Sequence, residues 1–138
     1  MILNDLLQIK AKELAARKKI TLRCCMAAGC MSSDAKGVKQ QLEKAVTEAG
    51  LQDEVEVRGV GCMKLCCEGP LVQAEPKNTL YVKVTAENAP AIIAALKGEK
   101  VDVPQSDPNA AFFKKQLGIV LANSGIIDPE SIESYIAV

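Results

Sequence analysis

The chain has 138 residues, of which 49% are hydrophobic and 25% charged, a composition typical of one ordinary globular domain with a buried core. The 17 Lys and Arg residues balance 17 Asp and Glu residues, and aromatic residues make up only 3%. The chain therefore lacks the positive charge and the stacking surfaces that nucleic-acid binding requires. No apolar run approaches the roughly 20 residues of a membrane span, and the first residues do not resemble a signal peptide, so we expect a cytoplasmic protein.

The first half of the chain predicts two strands, each preceded by a helix. Residues 3–19 carry apolar side chains at helical spacing, and residues 20–24 alternate apolar and polar side chains as a half-buried strand does. A second helix is predicted over about 32–49, capped by one of its two leading serines, and residues 54–58 alternate again. A strand–helix–strand unit of this length predicts parallel, neighbouring strands.

The second half of the chain predicts a hairpin and a last core helix. Residues 71–74 and 80–84 have strand character and are joined by a turn at Pro76-Lys77-Asn78. The helix is predicted over 88–97, with its first residue, Asn88, as the cap. The predicted fold is α/β, with a mixed four-stranded sheet flanked by helices in residues 1–100.

Residues beyond the predicted core divide into a linker and a tail. Residues 101–111 are rich in Pro and Asp and predict a linker. The tail, residues 112–138, begins at Phe112-Phe113 and is predicted to end in a helix that starts at Asp128-Pro129. Since the tail is too short to form a core of its own, we expect it to dock on another surface.

The content of cysteine and histidine narrows the chemistry. The chain has six cysteines and no histidine. The lack of histidine excludes Ser-His-Asp and Cys-His catalysis, mixed Cys/His zinc sites and Rieske-type clusters. In a reducing compartment, clustered cysteines indicate metal or redox chemistry rather than structural disulfides.

The cysteines form two groups, and each group directly follows a predicted strand. The carboxyl ends of parallel strands meet at one edge of a sheet, so we expect the two groups to converge there. The members of the two groups are Cys24, Cys25 and Cys30, and Cys62, Cys66 and Cys67.

Strand alternation selects four of these thiols as candidate ligands. Cys24 shares a strand face with Ile20 and Leu22, which predicts a small core residue, whereas Cys25 begins the loop and is free to face a metal. Cys67 follows Cys66 and is expected to point away from the site that Cys66 faces. The predicted metal ligands are Cys25, Cys30, Cys62 and Cys66, spaced as Cys-x4-Cys and Cys-x3-Cys.

The spacing alone leaves two kinds of metal site open. A [2Fe-2S] cluster takes two thiolates on each iron, which suits two cysteine pairs on two loops, and nearby glycines would let amide groups reach the sulfurs. A four-cysteine zinc site that stabilises an interaction domain fits the spacing equally well. A thiol–disulfide catalyst is disfavoured because no Cys-x-x-Cys is present. Since no dinucleotide motif or phosphate loop occurs either, we assign no catalytic residue to this chain.

The cysteine-bearing stretches resemble a known family. Residues 23–30, Arg-Cys-Cys-Met-Ala-Ala-Gly-Cys, and residues 59–72, Gly-Val-Gly-Cys-Met-Lys-Leu-Cys-Cys-Glu-Gly-Pro-Leu-Val, are similar to the thioredoxin-like [2Fe-2S] ferredoxins, which include the 24-kDa-type subunit of respiratory complex I. The resemblance covers roughly residues 20–97 and implies a thioredoxin-like fold. It also implies that Cys25, Cys30, Cys62 and Cys66 bind a [2Fe-2S] cluster, which resolves the choice of metal in favour of iron.

The tail carries a second resemblance. Residues 119–130, Ile-Val-Leu-Ala-Asn-Ser-Gly-Ile-Ile-Asp-Pro-Glu, are similar to the entry segment of the FMN- and NAD-binding 51-kDa-type subunits. The combination resembles the diaphorase flavoproteins of bidirectional NAD-reducing [NiFe] hydrogenases of the cyanobacterial type. It implies an N-terminal fragment of a longer flavoprotein, with FMN and NAD bound by the remainder. The implied partners are the parent flavoprotein domain, other diaphorase or hydrogenase subunits, and a ferredoxin.

Overall fold

The computed structural model describes residues 2–138. Within this range five strands form one sheet in the order β2-β1-β3-β4-β5. The strands are β1 (Ile20–Cys25), β2 (Val55–Val60), β3 (Val72–Glu75), β4 (Thr79–Tyr81) and β5 (Gln105–Ser106). The helices are α1 (Leu3–Ala16), α2 (Ala28–Met31), α3 (Ala35–Glu48), α4 (Ala89–Leu96), α5 (Ala111–Lys114) and α6 (Ile132–Ile136).

The parallel pair β1 and β2 lies at one side of the sheet, as the strand–helix–strand pattern predicts. Cys25 pairs with Val60 at the carboxyl ends of the two strands, so both strands end at the same edge. The connecting helix α3 buries its apolar face, including Val38 and Leu42, against the core residue Leu22. Since side chains three to four residues apart share one face of a helix, this packing follows from the spacing of the apolar residues.

The cap of α3 differs from the sequence-based expectation. Neither of the serines at 32–33 caps this helix; Asp34 does, and its carboxylate accepts a hydrogen bond from the amide of Gly37. The two serines instead lie in the turn between the short helix α2 and α3, where Asp34 has a left-handed φ of 67°. Aspartate tolerates this conformation better than most residues, which allows the sharp change of direction.

The sheet has one strand more than predicted. β3 is antiparallel to β1 and to β4, as the hairpin pattern requires, but β5 adds a fifth strand along β4. β5 lies within residues 101–111, which were predicted as a linker. A two-residue strand is too short to show alternation, and its pairing of Gln105 with Tyr81 depends on the neighbouring strand rather than on its own sequence.

Two further helix starts differ from the sequence-based expectation. Asn88 makes no side-chain cap for α4; its side-chain oxygen accepts the amide of Thr85 in the turn before the helix. The last helix starts at Ile132 rather than at Asp128-Pro129, because the Ser131 hydroxyl supplies the cap by accepting the amide of Ser134.

The apolar residues form two clusters. The larger one lies between the sheet and helices α3 and α4 and contains Leu22, Cys24, Leu42 and Ile92. The smaller one surrounds the beginning of α2, contains Cys25 and Cys30, and is also contacted by Phe113 of the tail. None of the helices described for residues 2–138 combines the length and the apolar character needed to cross a membrane.

Candidate metal centre

The first thiol pair is buried where β1 ends and α2 begins. The side chains of Cys25 and Cys30 are 1% and 0% exposed. The Cys30 thiol hydrogen-bonds the Cys25 sulfur, which lowers the pKa of Cys25 to about 6, although burial opposes the shift. The same bond raises the pKa of Cys30, and burial adds to that shift. The hydrogen bond therefore favours the thiolate form of Cys25, which is the form that binds metals.

The second thiol pair lies on the loop after β2 and is open to solvent. The sulfurs of Cys62 and Cys66 are 3.9 Å apart; Cys62 is half-buried and Cys66 is exposed. A tetrahedral metal ion about 2.3 Å from each of two thiolates holds their sulfurs roughly 3.8 Å apart. The second pair is therefore already spaced as two ligands of one tetrahedral ion.

The two cysteine loops, residues 25–31 and residues 61–69, are in direct contact. A Cβ added to Gly29 would lie 3.3 Å from Cβ of Cys66, and one added to Gly69 would lie 2.7 Å from the sulfur of Cys30. The backbone amide of Met63, in the second loop, also lowers the pKa of Cys25 in the first. The crossover through α3 thus brings four thiols, far apart in sequence, to one edge of the sheet.

Backbone amides point at the sulfurs, as expected for a site that carries negative charge. The amide of Lys64 donates to the sulfur of Cys62 at 3.3 Å, and Lys64 holds a left-handed φ of 67° that few non-glycine residues adopt. The amide of Ala27 likewise lowers the pKa of Cys25. Such a backbone conformation costs energy, and here it directs an N–H group at a candidate ligand.

Two cysteines stand apart from this arrangement. Cys24 points to the opposite face of β1, is 1% exposed and packs in the larger apolar cluster with Leu22 and Leu42. Burial raises its pKa to about 12, so it is a neutral thiol at physiological pH. Cys67 is exposed at the turn that follows Cys66. The position of Cys24 agrees with the core role predicted for it.

The chemistry of the donor set fits a [2Fe-2S] cluster. The four predicted ligands lie as two pairs on touching loops, and glycines at 29 and 69 leave room beside the sulfurs. Across residues 2–138, no group of three or more cysteine, aspartate or glutamate side chains is close enough to hold a single metal ion. The assignment of Cys25, Cys30, Cys62 and Cys66 as ligands stays a prediction.

Sequence reasoning missed the surface against which the tail docks. The tail packs on the second cysteine loop, where the Ser124 hydroxyl donates to the carbonyl of Cys62 at 2.8 Å. Arg23 of β1 donates to the carbonyl of Gly125 at 2.7 Å. The only hints in the sequence are the glycines at 118 and 125, which permit close approach of the tail backbone but do not identify its target.

Comparisons with known proteins agree with this geometry. The [2Fe-2S] ferredoxin of Clostridium pasteurianum is 28% identical over 64 residues, which are 46% of this chain and 63% of that ferredoxin. A solved thioredoxin-like [2Fe-2S] ferredoxin from Aquifex aeolicus superposes with a TM-score of 0.57 at 24% identity, covering 67% of this chain and 96% of that one. The fold is thioredoxin-like.

A crystal structure of the wild-type Aquifex aeolicus ferredoxin shows the same fold, with a TM-score of 0.54 at 23% identity over 59% of this chain and 89% of that one. No protein-family model matches the chain. The thioredoxin-like fold predicted from the sequence is thus confirmed, with five strands in place of four. The resemblance to the [2Fe-2S] ferredoxins is supported by the solved structures and by the clostridial relative.

Proposed function

We propose that this protein transfers single electrons through a [2Fe-2S] cluster held by Cys25, Cys30, Cys62 and Cys66. The observation that carries the proposal is the meeting of two thiol pairs, one buried and one exposed, on two touching loops. Two pairs provide two ligands for each of two irons, whereas one zinc ion requires all four sulfurs around a single centre. The similar proteins from Clostridium pasteurianum and Aquifex aeolicus are both [2Fe-2S] ferredoxins, which supports the same conclusion.

Different residues of the chain would have different roles in such an electron carrier. When bound, the cluster supplies a one-electron couple. Cys25 and Cys30 hold one side of it within the protein, away from water. The amide of Lys64 donates to the Cys62 sulfur and stabilises negative charge there, which favours the reduced state. Cys66 lies at the surface, where a redox partner can approach.

The decisive experiment is metal analysis of protein purified without oxygen. We expect a brown protein with about two iron and two sulfide per chain, and a spin signal after one-electron reduction. A colourless protein with about one zinc per chain would instead identify the four-cysteine interaction domain. Thiol-exchange activity that is lost on replacing a single cysteine would identify a thiol–disulfide catalyst.

Serine substitutions test the assignment of the ligands. Replacing any of Cys25, Cys30, Cys62 or Cys66 should bleach or strongly alter the visible spectrum. Cys67→Ser is the matched control on the second loop, and Cys24→Ser is the matched control on β1. Loss of the spectrum in Cys24→Ser with retention in Cys25→Ser would reverse the assignment of the strand faces.

The resemblance of the tail supports a finer proposal, in which the chain is a module of an NAD(H)-linked diaphorase or hydrogenase of the cytoplasm. Its partners would be the parent flavoprotein domain, other subunits of that enzyme, or a ferredoxin. The chain spans 63% of the clostridial ferredoxin it matches, so this wider role rests on the sequence resemblance. In this finer proposal the protein consists of a cluster domain (1–100), a connecting segment (101–111) and the entry segment of a flavoprotein domain (112–138).

A coupled assay tests the finer proposal. We expect NADH to reduce the iron–sulfur chromophore only when an FMN-containing, NADH-oxidising flavoprotein is added. Dithionite should reduce it in either case and serves as the positive control. Reduction by dithionite but never by NADH with the flavoprotein would remove the link to NAD while leaving the electron-transfer proposal intact.

A further inference from the structure

The tail is held against the second cysteine loop by several polar contacts. The Ser124 hydroxyl is 2.8 Å from the carbonyl of Cys62 and 3.1 Å from that of Leu121, so its single hydrogen favours the closer contact with Cys62. The Gly61 amide donates to the carbonyl of Ile127 at 3.3 Å. The Gln116 side-chain amide donates to the carbonyl of Lys64 at 3.3 Å. Residues on both sides of Cys62 are therefore bonded to the tail.

The backbone of the second loop is shaped for this contact. A Cβ on Gly61 would lie 2.7 Å from the backbone carbonyl oxygen of Ser124, closer than real Cβ atoms approach other atoms. Backbone atoms cannot rotate away as the end of a flexible side chain can, so any larger residue at position 61 would push the tail outward. The nearest obstacle to a side chain at this glycine is thus the tail.

The first strand anchors the tail from the other side. The guanidinium of Arg23 donates both to the carbonyl of Gly125, at 2.7 Å, and to the carboxylate of Glu75 on β3, at 2.5 Å. Its side chain is only 16% exposed, so this contact is shielded from water. Arg23 lies two residues before Cys25, which links the tail to the strand that carries the first thiol pair.

We propose that residues 116–127 form a fixed outer wall of the metal centre, in which Ser124 is a positioning residue for Cys62, while Arg23 of β1 holds the wall in place through Gly125. This inference rests on the proposed function, because it assigns to the tail the task of holding one ligand. Ser124 fixes the carbonyl of Cys62, and the tail is bonded to the backbone on both sides of that residue, at Gly61 and Lys64. Cys62 is half-buried, whereas the neighbouring Cys66 is exposed.

The test compares thiol alkylation in the full-length, cluster-free, reduced protein. Iodoacetamide labelling followed by mass spectrometry gives the rate at Cys62, with Cys66 as the internal reference. Ser124→Ala should speed the labelling of Cys62 about fivefold, the factor that one ordinary hydrogen bond is worth, and leave Cys66 unchanged. Gly61→Ala should speed the labelling of Cys62 by a larger factor than Ser124→Ala does. In the loaded protein, both variants should lose iron to a chelator faster than the wild type.

Ser131→Ala is the matched control, since it removes a hydroxyl from the same tail but from the cap of α6. It should leave the labelling rate of Cys62 unchanged. The proposal is overturned if Ser124→Ala does not change that rate, or if Ser131→Ala raises it equally. Failure of the wild-type chain to bind iron would refute the proposed function instead, while the labelling comparison would still decide whether the wall positions Cys62.

Discussion

The two cysteine loops offer the same ligand chemistry in opposite surroundings. Cys25 and Cys30 lie in an apolar cluster with Leu71 and Leu80 and are almost fully buried, whereas Cys66 is exposed and Cys62 is half-buried. A thiolate in an apolar pocket is held in one position but costs free energy to charge, while a thiolate at the surface is solvated. In the proposed electron carrier, the buried pair would anchor the cluster and the second pair, at the surface, would face the redox partner.

The largest expected difference between the loops is in cluster retention. Cys30→Ser should abolish the iron content, because the buried hydroxyl is a weaker ligand and no water or second thiol can replace it. Cys66→Ser should keep a measurable fraction of the cluster with an altered spectrum, because the exposed side accepts a replacement ligand from solvent. Iron and sulfide assays after anaerobic purification measure both variants.

Equal loss of iron in Cys30→Ser and Cys66→Ser would remove the distinction between anchoring and exposed ligands. Far-ultraviolet circular dichroism is the control for folding in each variant. A Cys30→Ser protein that retains more iron than Cys66→Ser would reverse the distinction.

The second difference concerns how the stability of the cluster-free, reduced protein depends on pH. The pKa of Cys25 falls from 9.0 to about 6 on folding, chiefly because of the hydrogen bond from Cys30. Between these values the folded state binds fewer protons than the unfolded state, so stability should rise with pH by at most about 1.4 kcal/mol per unit. Above pH 9 the raised pKa values of Cys30 and Cys24 act in the opposite direction.

Urea unfolding at a series of pH values tests this dependence. Cys25→Ser should remove the rise between about pH 6 and 9, whereas Cys67→Ser should retain it. A wild-type stability that is flat across this window would show that the buried pair carries no thiolate before metal binding.

Glycine substitutions give a smaller contrast. Gly69→Ala should lower the free energy of unfolding by about 1–3 kcal/mol, since the new Cβ would press on the buried sulfur of Cys30. Gly29→Ala should stay within about 0.5 kcal/mol of the wild type, because its Cβ meets the exposed Cys66 and alanine favours the helix α2. Urea denaturation measures both, and a greater loss in Gly29→Ala than in Gly69→Ala would contradict the contrast between the buried sulfur of Cys30 and the exposed Cys66.

The smallest effect is expected at Cys67. Because this thiol is exposed and is not among the proposed ligands, Cys67→Ser should change the free energy of unfolding by no more than about 0.5 kcal/mol and leave iron content unchanged. Chemical denaturation and iron assays check both values. Loss of iron in this variant would add Cys67 to the ligands of the second loop.

Those parts of the fold that depend on repeating local patterns could be predicted from the sequence. The alternation at residues 20–24 and the helical spacing over 38–46 identify β1 and α3, and their connection predicts the convergence of the cysteine loops. β5 could not be predicted, because two residues are too few to show the alternation that identifies a strand. The cap at Asp34 could not be predicted either. It depends on a left-handed backbone conformation, and the two serines just before Asp34 are equally suitable cap residues by sequence.

The meeting of the two cysteine loops could be predicted from the sequence, but the residues that surround them could not. The side on which each sulfur lies follows from alternation along β1, whereas the contact between Ser124 and Cys62 joins residues 62 positions apart. A single hydroxyl in a tail has many possible partners, and nothing in its neighbours selects one. The left-handed Lys64 is likewise invisible in the sequence, since lysine has no preference for that conformation.

The adjacent cysteines of β1 have a consequence for the alignment of the strands. Cys24 is opposite Gly59 and Cys25 is opposite Val60, and side chains alternate between faces. A shift of β1 by one residue against its neighbours would therefore present the sulfur of Cys24 to the metal in place of Cys25. Metal binding alone would not prevent this misalignment, because either sulfur can act as a ligand. The same shift would remove Leu22 from the core, which costs free energy, so hydrophobic packing selects the sulfur that faces the proposed metal centre.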